Sequence, residues 1–176
     1  IFVEKMADFF RYNVKKGLED ASLGEELTAV ENYIYILNVR FAGDIHFTKK
    51  VDESIMECRV PSMILQPLVE NAVNHGIRNI DWEGKILLEI TRLEDNILIR
   101  VKDNGKGMSE ERIREVLGGC MEDTGEQSDS TGVGMNNVIS RLELYYDKKN
   151  LVEINSPGEN MGTEIILTLP RTGGEK

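Results

Sequence analysis

Leu65-Gln-Pro-Leu-Val-Glu-Asn-Ala-Val-Asn-His-Gly-Ile-Arg78 carries two stripes at helical spacing. Leu65, Leu68, Val69, Ala72, Val73 and Gly76 fall on one stripe, and Asn71, Asn74, His75 and Arg78 fall on the other at i, i+3, i+4 and i+7. Pro67 is expected to start or kink the regular part, because it lacks an N–H and fixes φ. An outer face that only met water would ordinarily carry Lys and Glu. Two amides, an imidazole and a guanidinium instead supply neutral oxygen ligands, donors and phosphate-binding groups. Taken alone, the same face could also be a structurally hydrogen-bonded one.

On the C-terminal side, Lys85–Leu93 and Ile97–Lys102 read as two strands joined at Glu94-Asp95-Asn96, a hairpin. Two more strands are expected near Leu151–Asn155 and Thr163–Leu169, after a helix from about Met135 to Tyr146. The 108–131 stretch reads as a helix to about Leu117 and then an acidic, polar segment with too few apolar residues to pack firmly, a lid. On the N-terminal side, a helix up to about Gly17 is followed by a second one opened by the capping box Ser22-Leu-Gly-Glu25. Along it Leu23, Leu27, Val30, Ile34, Leu37 and Phe41 form a narrow apolar seam that wants another helix, either the chain's own first one or a dimer mate. After Ala42-Gly43-Asp44, Ile45, Phe47 and Val51 alternate as in a strand. Without regular βαβ alternation, the pattern predicts an α+β fold, a two-layer sandwich of one mostly antiparallel sheet with helices on one face. Two leading helices are expected outside it, with the boundary between residues 43 and 44.

Composition narrows the function classes. The 176 residues include 21 Lys+Arg against 31 Asp+Glu, a formal net charge of −10, and 40% hydrophobic residues. One domain with a short extension fits that length, and no apolar run approaches the roughly 20 residues of a membrane-spanning helix. The acidic field argues against nucleic acid as a partner, and any anionic ligand needs a local device to hold it. Cys58 and Cys120 have no metal-ligand spacing, so neither a disulfide framework nor a zinc site is expected, and a reducing compartment fits. Starting at Ile1 without methionine, the chain reads as part of a longer protein.

Three further motifs carry chemistry. Asp103-Asn-Gly-Lys-Gly107 puts a carboxylate at a strand end, able to accept from an exocyclic amine, before two glycines that let backbone approach a flat or anionic ligand. Read singly, it is also an ordinary turn. Thr131-Gly-Val-Gly-Met135 opens a helix, where free N–H groups and the dipole can hold an anion whatever the net charge. Gly162-Thr163 enters the last strand and could set a hydroxyl beside a base.

In this order, the four motifs resemble the nucleotide-binding boxes of the GHKL (Bergerat-fold) ATP-binding superfamily. More narrowly, the 65–76 stretch, preceded by Glu-Asn-Tyr-Ile-Tyr-Ile-Leu-Asn-Val-Arg-Phe and a helix with Arg11-Tyr12, looks like the LytS-type sensor histidine kinases over nearly the whole chain. The resemblance implies that Asn71 ligates Mg²⁺ carried by the ATP phosphates and that Asp103 hydrogen-bonds the adenine amino group. It implies that Gly105, Gly107 and Met108 shape the adenine pocket, that Thr163 supports its end, and that Gly132, Gly134 and Met135 lie beside the phosphates under the 108–131 lid. Glu70 joins Asn71 as a catalytic candidate, and Asn74 and His75 join the nucleotide contacts. Residues 1–43 would end the helical dimerisation and phosphotransfer region, and residues 44–176 would be the catalytic domain. The implied partners are ATP, a histidine-bearing helix of the same parent protein or its dimer mate, and a response regulator. The implied setting is the cytoplasmic part of a membrane-bound, homodimeric bacterial sensor kinase.

Two departures bear on mechanism. Hydrolytic relatives place a water-activating glutamate four residues before the metal asparagine, where this chain has Pro67, which favours phosphoryl transfer to a protein over ATPase turnover. The family's phosphorylated histidine sits in a Pro-His-Phe-Leu-Phe-Asn helix upstream of Ile1. Neither His46, read as a surface or edge-strand residue, nor His75 replaces it. A GHKL ATPase and a non-enzymatic nucleotide-binding or dimerisation module stand as the alternatives.

Overall fold

The computed structural model describes residues 1–15, 20–40, 45–78, 80–118 and 130–171. Helix α1 (Phe2–Lys15) is followed by a short strand β1 (Asp20–Ser22), helix α2 (Leu23–Arg40) and strand β2 (Ile45–Val51). A second short strand, β3 (Arg59–Pro61), precedes helix α3 (Leu65–Asn71), which continues as a π-helical turn over Ala72–Ile77. The hairpin β4 (Gly84–Leu93) and β5 (Asn96–Asp103), helices α4 (Glu110–Gly118) and α5 (Ser130–Tyr146), and strands β6 (Val152–Asn155) and β7 (Glu164–Pro170) complete the chain.

The main sheet runs β2-β4-β5-β7-β6, with only the edge pair β2 and β4 parallel. Period-two alternation divides its faces. Ile86, Leu88 and Ile90 of β4, Ile97, Ile99 and Val101 of β5, and Ile165, Leu167 and Leu169 of β7 are buried, each worth roughly 1.5–3 kcal/mol relative to exposure. They share one core cluster with Leu65, Leu68, Val69 and Val73 of the α3 segment and Met135, Val138 and Leu142 of α5. The alternate residues form a mixed face on which Leu87, Leu98 and Ile166 are half-buried and Arg100 pairs with Glu89 and Glu164. The expected α+β sandwich is therefore the observed fold.

The capping box is present: Ser22 Oγ accepts from the Glu25 N–H at 3.1 Å, and Glu25 Oε2 accepts from the Ser22 N–H at 2.8 Å. The seam beyond it turns inward. Leu23, Leu27, Val30 and Ile34 belong to the core cluster, whereas α1 contributes nothing to it and meets α2 through Phe9 stacked on Tyr33. Of the two leading helices, α2 is thus part of the layered core rather than outside it. Phe41, Gly17 and the boundary at residues 43 and 44 lie outside the described residues, as do Cys120 and residues 119–129 of the expected lid.

Three local expectations change. The pair β1 and β3 forms a small antiparallel sheet of three residues each, too short for alternation to be legible. The asparagine-bearing helix starts at Leu65, with Pro67 in its first turn, where a missing N–H costs nothing. Helix α5 starts at Ser130 rather than Met135, so Gly134 sits beyond the four positions whose N–H groups are free at a helix start. Gly132 lies in the described part of α5, which begins directly after residues 119–129, themselves outside the described residues. His46 lies on the edge strand β2, as expected, and pairs with Glu83 at 2.9 Å.

Candidate functional site

Asp103 continues the buried phase of β5, two residues beyond Val101, so the strand's own alternation drives its carboxylate into the helix-facing side at the sheet's end. It is 4% exposed. Oδ1 accepts from the Gly105 N–H at 2.8 Å and the Thr163 N–H at 3.3 Å, and the Asp103 N–H donates to the Thr163 carbonyl at 2.9 Å. Burial pushes the Asp103 carboxyl up to about 6, while the Gly105 and Thr163 N–H groups pull the other way. Neither of those bonds uses Oδ2, which leaves an acceptor for a ligand donor.

The loop after Asp103 is locked to the π-helical turn backbone against backbone. The Lys106 N–H donates to the Gly76 carbonyl at 3.0 Å. A Cβ on Gly105 would lie 2.1 Å from that oxygen, and one on Gly76 would lie 2.7 Å from Asp103 Oδ1. Gly105 is therefore required by the chain's own packing. Gly107, at φ +75°, likewise leaves room for the Gly158 carbonyl. Ser156 Oγ ties the same corner, accepting from the Met108 N–H at 2.9 Å and donating to the Gly162 carbonyl at 2.8 Å.

A cavity of about 130 Å³ is lined by Pro67, Glu70, Asn71, Asn74, His75, Gly134 and Met135; Asp103, Gly105, Gly107, Met108 and Thr163 are not among its lining residues. It joins the asparagine helix to the start of α5, two motifs more than 50 residues apart in the chain. The switch to i→i+5 bonding at Ala72 follows Asn71 directly, a local widening that often accompanies functional positions. Arg78, expected on the same face, is exposed beyond the π-helical turn and is not among the lining residues. Glu70 Oε1 accepts from Gln66 Nε2 at 2.7 Å, which holds the carboxylate at the wall. Among the described residues, a Cβ at Gly134 would meet nothing within 4 Å.

Asn71 is the most telling residue. It is 6% exposed, and its Oδ1 is buried without a hydrogen-bond partner. An acceptor in that state costs roughly 1–3 kcal/mol unless something completes it. A neutral amide oxygen suits a hard cation such as Mg²⁺, so the residue fits the ion implied by the resemblance. Among the described residues, no group of three or more His, Cys, Asp or Glu could hold a metal by itself.

Residues the sequence reading did not single out are Glu26 and Ser156. Only Glu26 left a signal: it falls in phase with Leu23, Leu27 and Val30, a carboxylate on an apolar stripe.

A family model described as "Histidine kinase-, DNA gyrase B-, and HSP90-like ATPase" matches residues 60–173, well over half of the chain. A second, described as "Histidine kinase", matches residues 1–45. Sensor histidine kinase YesM of Bacillus subtilis (strain 168) is 29% identical over 168 residues, covering 96% of this chain and 27% of that protein. Sensor protein kinase HptS of Staphylococcus aureus (strain USA300) is 30% identical over 173 residues, covering 98% and 32%. The chain thus spans about a third or less of the length of these relatives. Among solved structures, the catalytic domain of histidine kinase ThkA matches with a TM-score of 0.60 at 19% identity, covering 88% of this chain and 95% of that one. The Erythrobacter litoralis EL346 blue-light activated histidine kinase matches at 0.61 and 15% identity, covering 98% and 48%. At these identities the structural likeness is one of fold.

Proposed function

The chain belongs to the histidine kinase-, DNA gyrase B- and HSP90-like ATPase family, and on that premise we propose that it is the ATP-binding catalytic part of a LytS-type sensor histidine kinase. Residues 1–43 would close the dimerisation and phosphotransfer helices, and residues 44–176 would form the catalytic domain. The buried, unpartnered Asn71 Oδ1 on a cavity shared by α3 and α5 carries the proposal.

When bound, Mg·ATP supplies the γ-phosphoryl group and the ion that shields its charge. Asn71 gives the ion a protein oxygen, and Asp103 accepts from the adenine amino group. Asn74, His75, Met135 and Gly134 line the phosphate side, and Gly132 of the same glycine motif would lie beside the phosphates. Gly105, Gly107, Met108 and Thr163 fix the adenine end. Glu70 can accept from the acceptor imidazole's N–H, keeping the other ring nitrogen free to attack. The work is largely positioning and charge neutralisation. The acceptor would be a histidine upstream in the parent protein or its dimer mate, and a response regulator would receive the group in turn. Such a parent would be a membrane-bound bacterial sensor with this part in the cytoplasm.

Asn71→Ala should abolish Mg-dependent ATP binding in calorimetry, together with transfer from labelled ATP to the separately supplied histidine segment. Undiminished binding and transfer would overturn the assignment. A family ATPase is the competing reading, and Pro67 on the cavity wall, where hydrolytic relatives carry glutamate, speaks against it. Sustained hydrolysis by this chain alone would favour that alternative.

A further inference from the structure

Helix α3 starts without a local cap. Ile64 stands at its N-cap position and offers no side-chain acceptor, and Met63 before it is held at φ 62°, a left-handed conformation costly for a residue with a Cβ. The missing acceptor comes from 37 to 39 residues earlier in the chain. Glu26 of α2 is 1% exposed; its Oε1 accepts from the Met63 N–H at 2.6 Å, and its Oε2 accepts from those of Ile64 and Leu65, each at 2.9 Å. One carboxylate thereby satisfies the helix start and braces the strained residue in front of it.

A fourth donor reaches the same carboxylate from α1: the Tyr12 hydroxyl bonds Glu26 Oε1. Burial and the Glu26 charge hold the Tyr12 phenol protonated well above its ordinary range, so it remains a donor. A parallel contact runs beside it. Phe9 of α1 stacks on Tyr33 of α2, with centroids 5.9 Å apart, and Tyr33 lies within electrostatic reach of Glu70. Helix α1 contributes no residue to the core cluster, so these contacts tie it to the α3 region without making it part of the core.

We propose that Glu26 and Tyr12 are positioning residues for the helix that carries Glu70 and Asn71: Glu26 anchors its start, and Tyr12 makes the anchor depend on how α1 is seated. Displacing α1 removes one donor from a buried charge and loosens the brace on Met63, shifting α3 between a held and a frayed start. The inference rests on the nucleotide reading of Asn71 for its functional consequence, but the anchor itself can be read without nucleotide.

Tyr12→Phe in this chain keeps the ring and removes only the hydroxyl. Amide exchange over residues 63–71, measured without nucleotide, should quicken while β4 and β5 stay unchanged. Mg·ATP affinity should fall roughly threefold to tenfold, because fewer molecules are competent to bind. In the transfer assay KM should rise with kcat retained, since saturating nucleotide restores the held state; a purely structural loss would not separate the two. Glu26→Gln should move exchange and affinity further in the same direction. Unchanged exchange in Tyr12→Phe, or a fall in kcat at constant KM, overturns the proposal. Faster exchange in a chain that binds no Mg·ATP even as wild type supports the anchor and removes the nucleotide reading instead.

Discussion

Replacing Asp103 by Asn should make the protein more resistant to neutral pH and useless for adenine. The carboxyl is 4% exposed, and burial raises it from 3.8 to about 6, a displacement of about two pH units. At about 1.4 kcal/mol per unit, that is about 3 kcal/mol of linkage. The sign follows from the order of deprotonation. Between about pH 4 and 6 the unfolded chain has already lost this proton while the folded one still holds it, so stability drains away as pH rises through that window. Asn has no such window. Its Oδ1 can still accept from Gly105 and Thr163, and any fixed cost of seating its amide is the same at every pH. The difference in unfolding free energy between variant and wild type, from urea titrations at about pH 3.5 and about pH 7.5, should therefore move by about 3 kcal/mol in the variant's favour at the higher pH. A difference that stays flat across the two conditions would refute the reasoning. In calorimetry at neutral pH the variant should bind no Mg·ATP, because its NH₂ would face the adenine amino group donor to donor. Wild-type affinity should weaken below about pH 6, as Asp103 takes up its proton.

The corner around Asp103 supplies two further tests. Gly105→Ala forces a Cβ to within 2.1 Å of the Gly76 carbonyl, a backbone atom that cannot turn away, so destabilisation beyond about 4 kcal/mol or loss of soluble protein is expected; a melting point close to wild type would show that the loop can yield. Ser156→Ala leaves the Met108 N–H and the Gly162 carbonyl without their partner, which should cost about 1–3 kcal/mol in chemical denaturation and weaken nucleotide binding, and a cost under about 0.5 kcal/mol would mean that water replaces the hydroxyl.

What the sequence alone determined was periodic or contiguous. The alternation of β4, β5 and β7, the Ser22 to Glu25 capping box, the hairpin itself and the asparagine-bearing face of α3 are written within a turn or two of themselves, and each follows from φ/ψ and side-chain direction. The tertiary structure decided which distant groups meet. Glu26 caps a helix nearly 40 residues away, Gly76 and Gly105 are small because their backbones touch, the seam of α2 packs into the core rather than onto α1, and π-helical bonding begins at Ala72. A one-dimensional pattern records a residue's neighbours along the chain. Hydrogen bonds and close backbone approaches are settled by neighbours in space, which only the packed sheet and helices bring together.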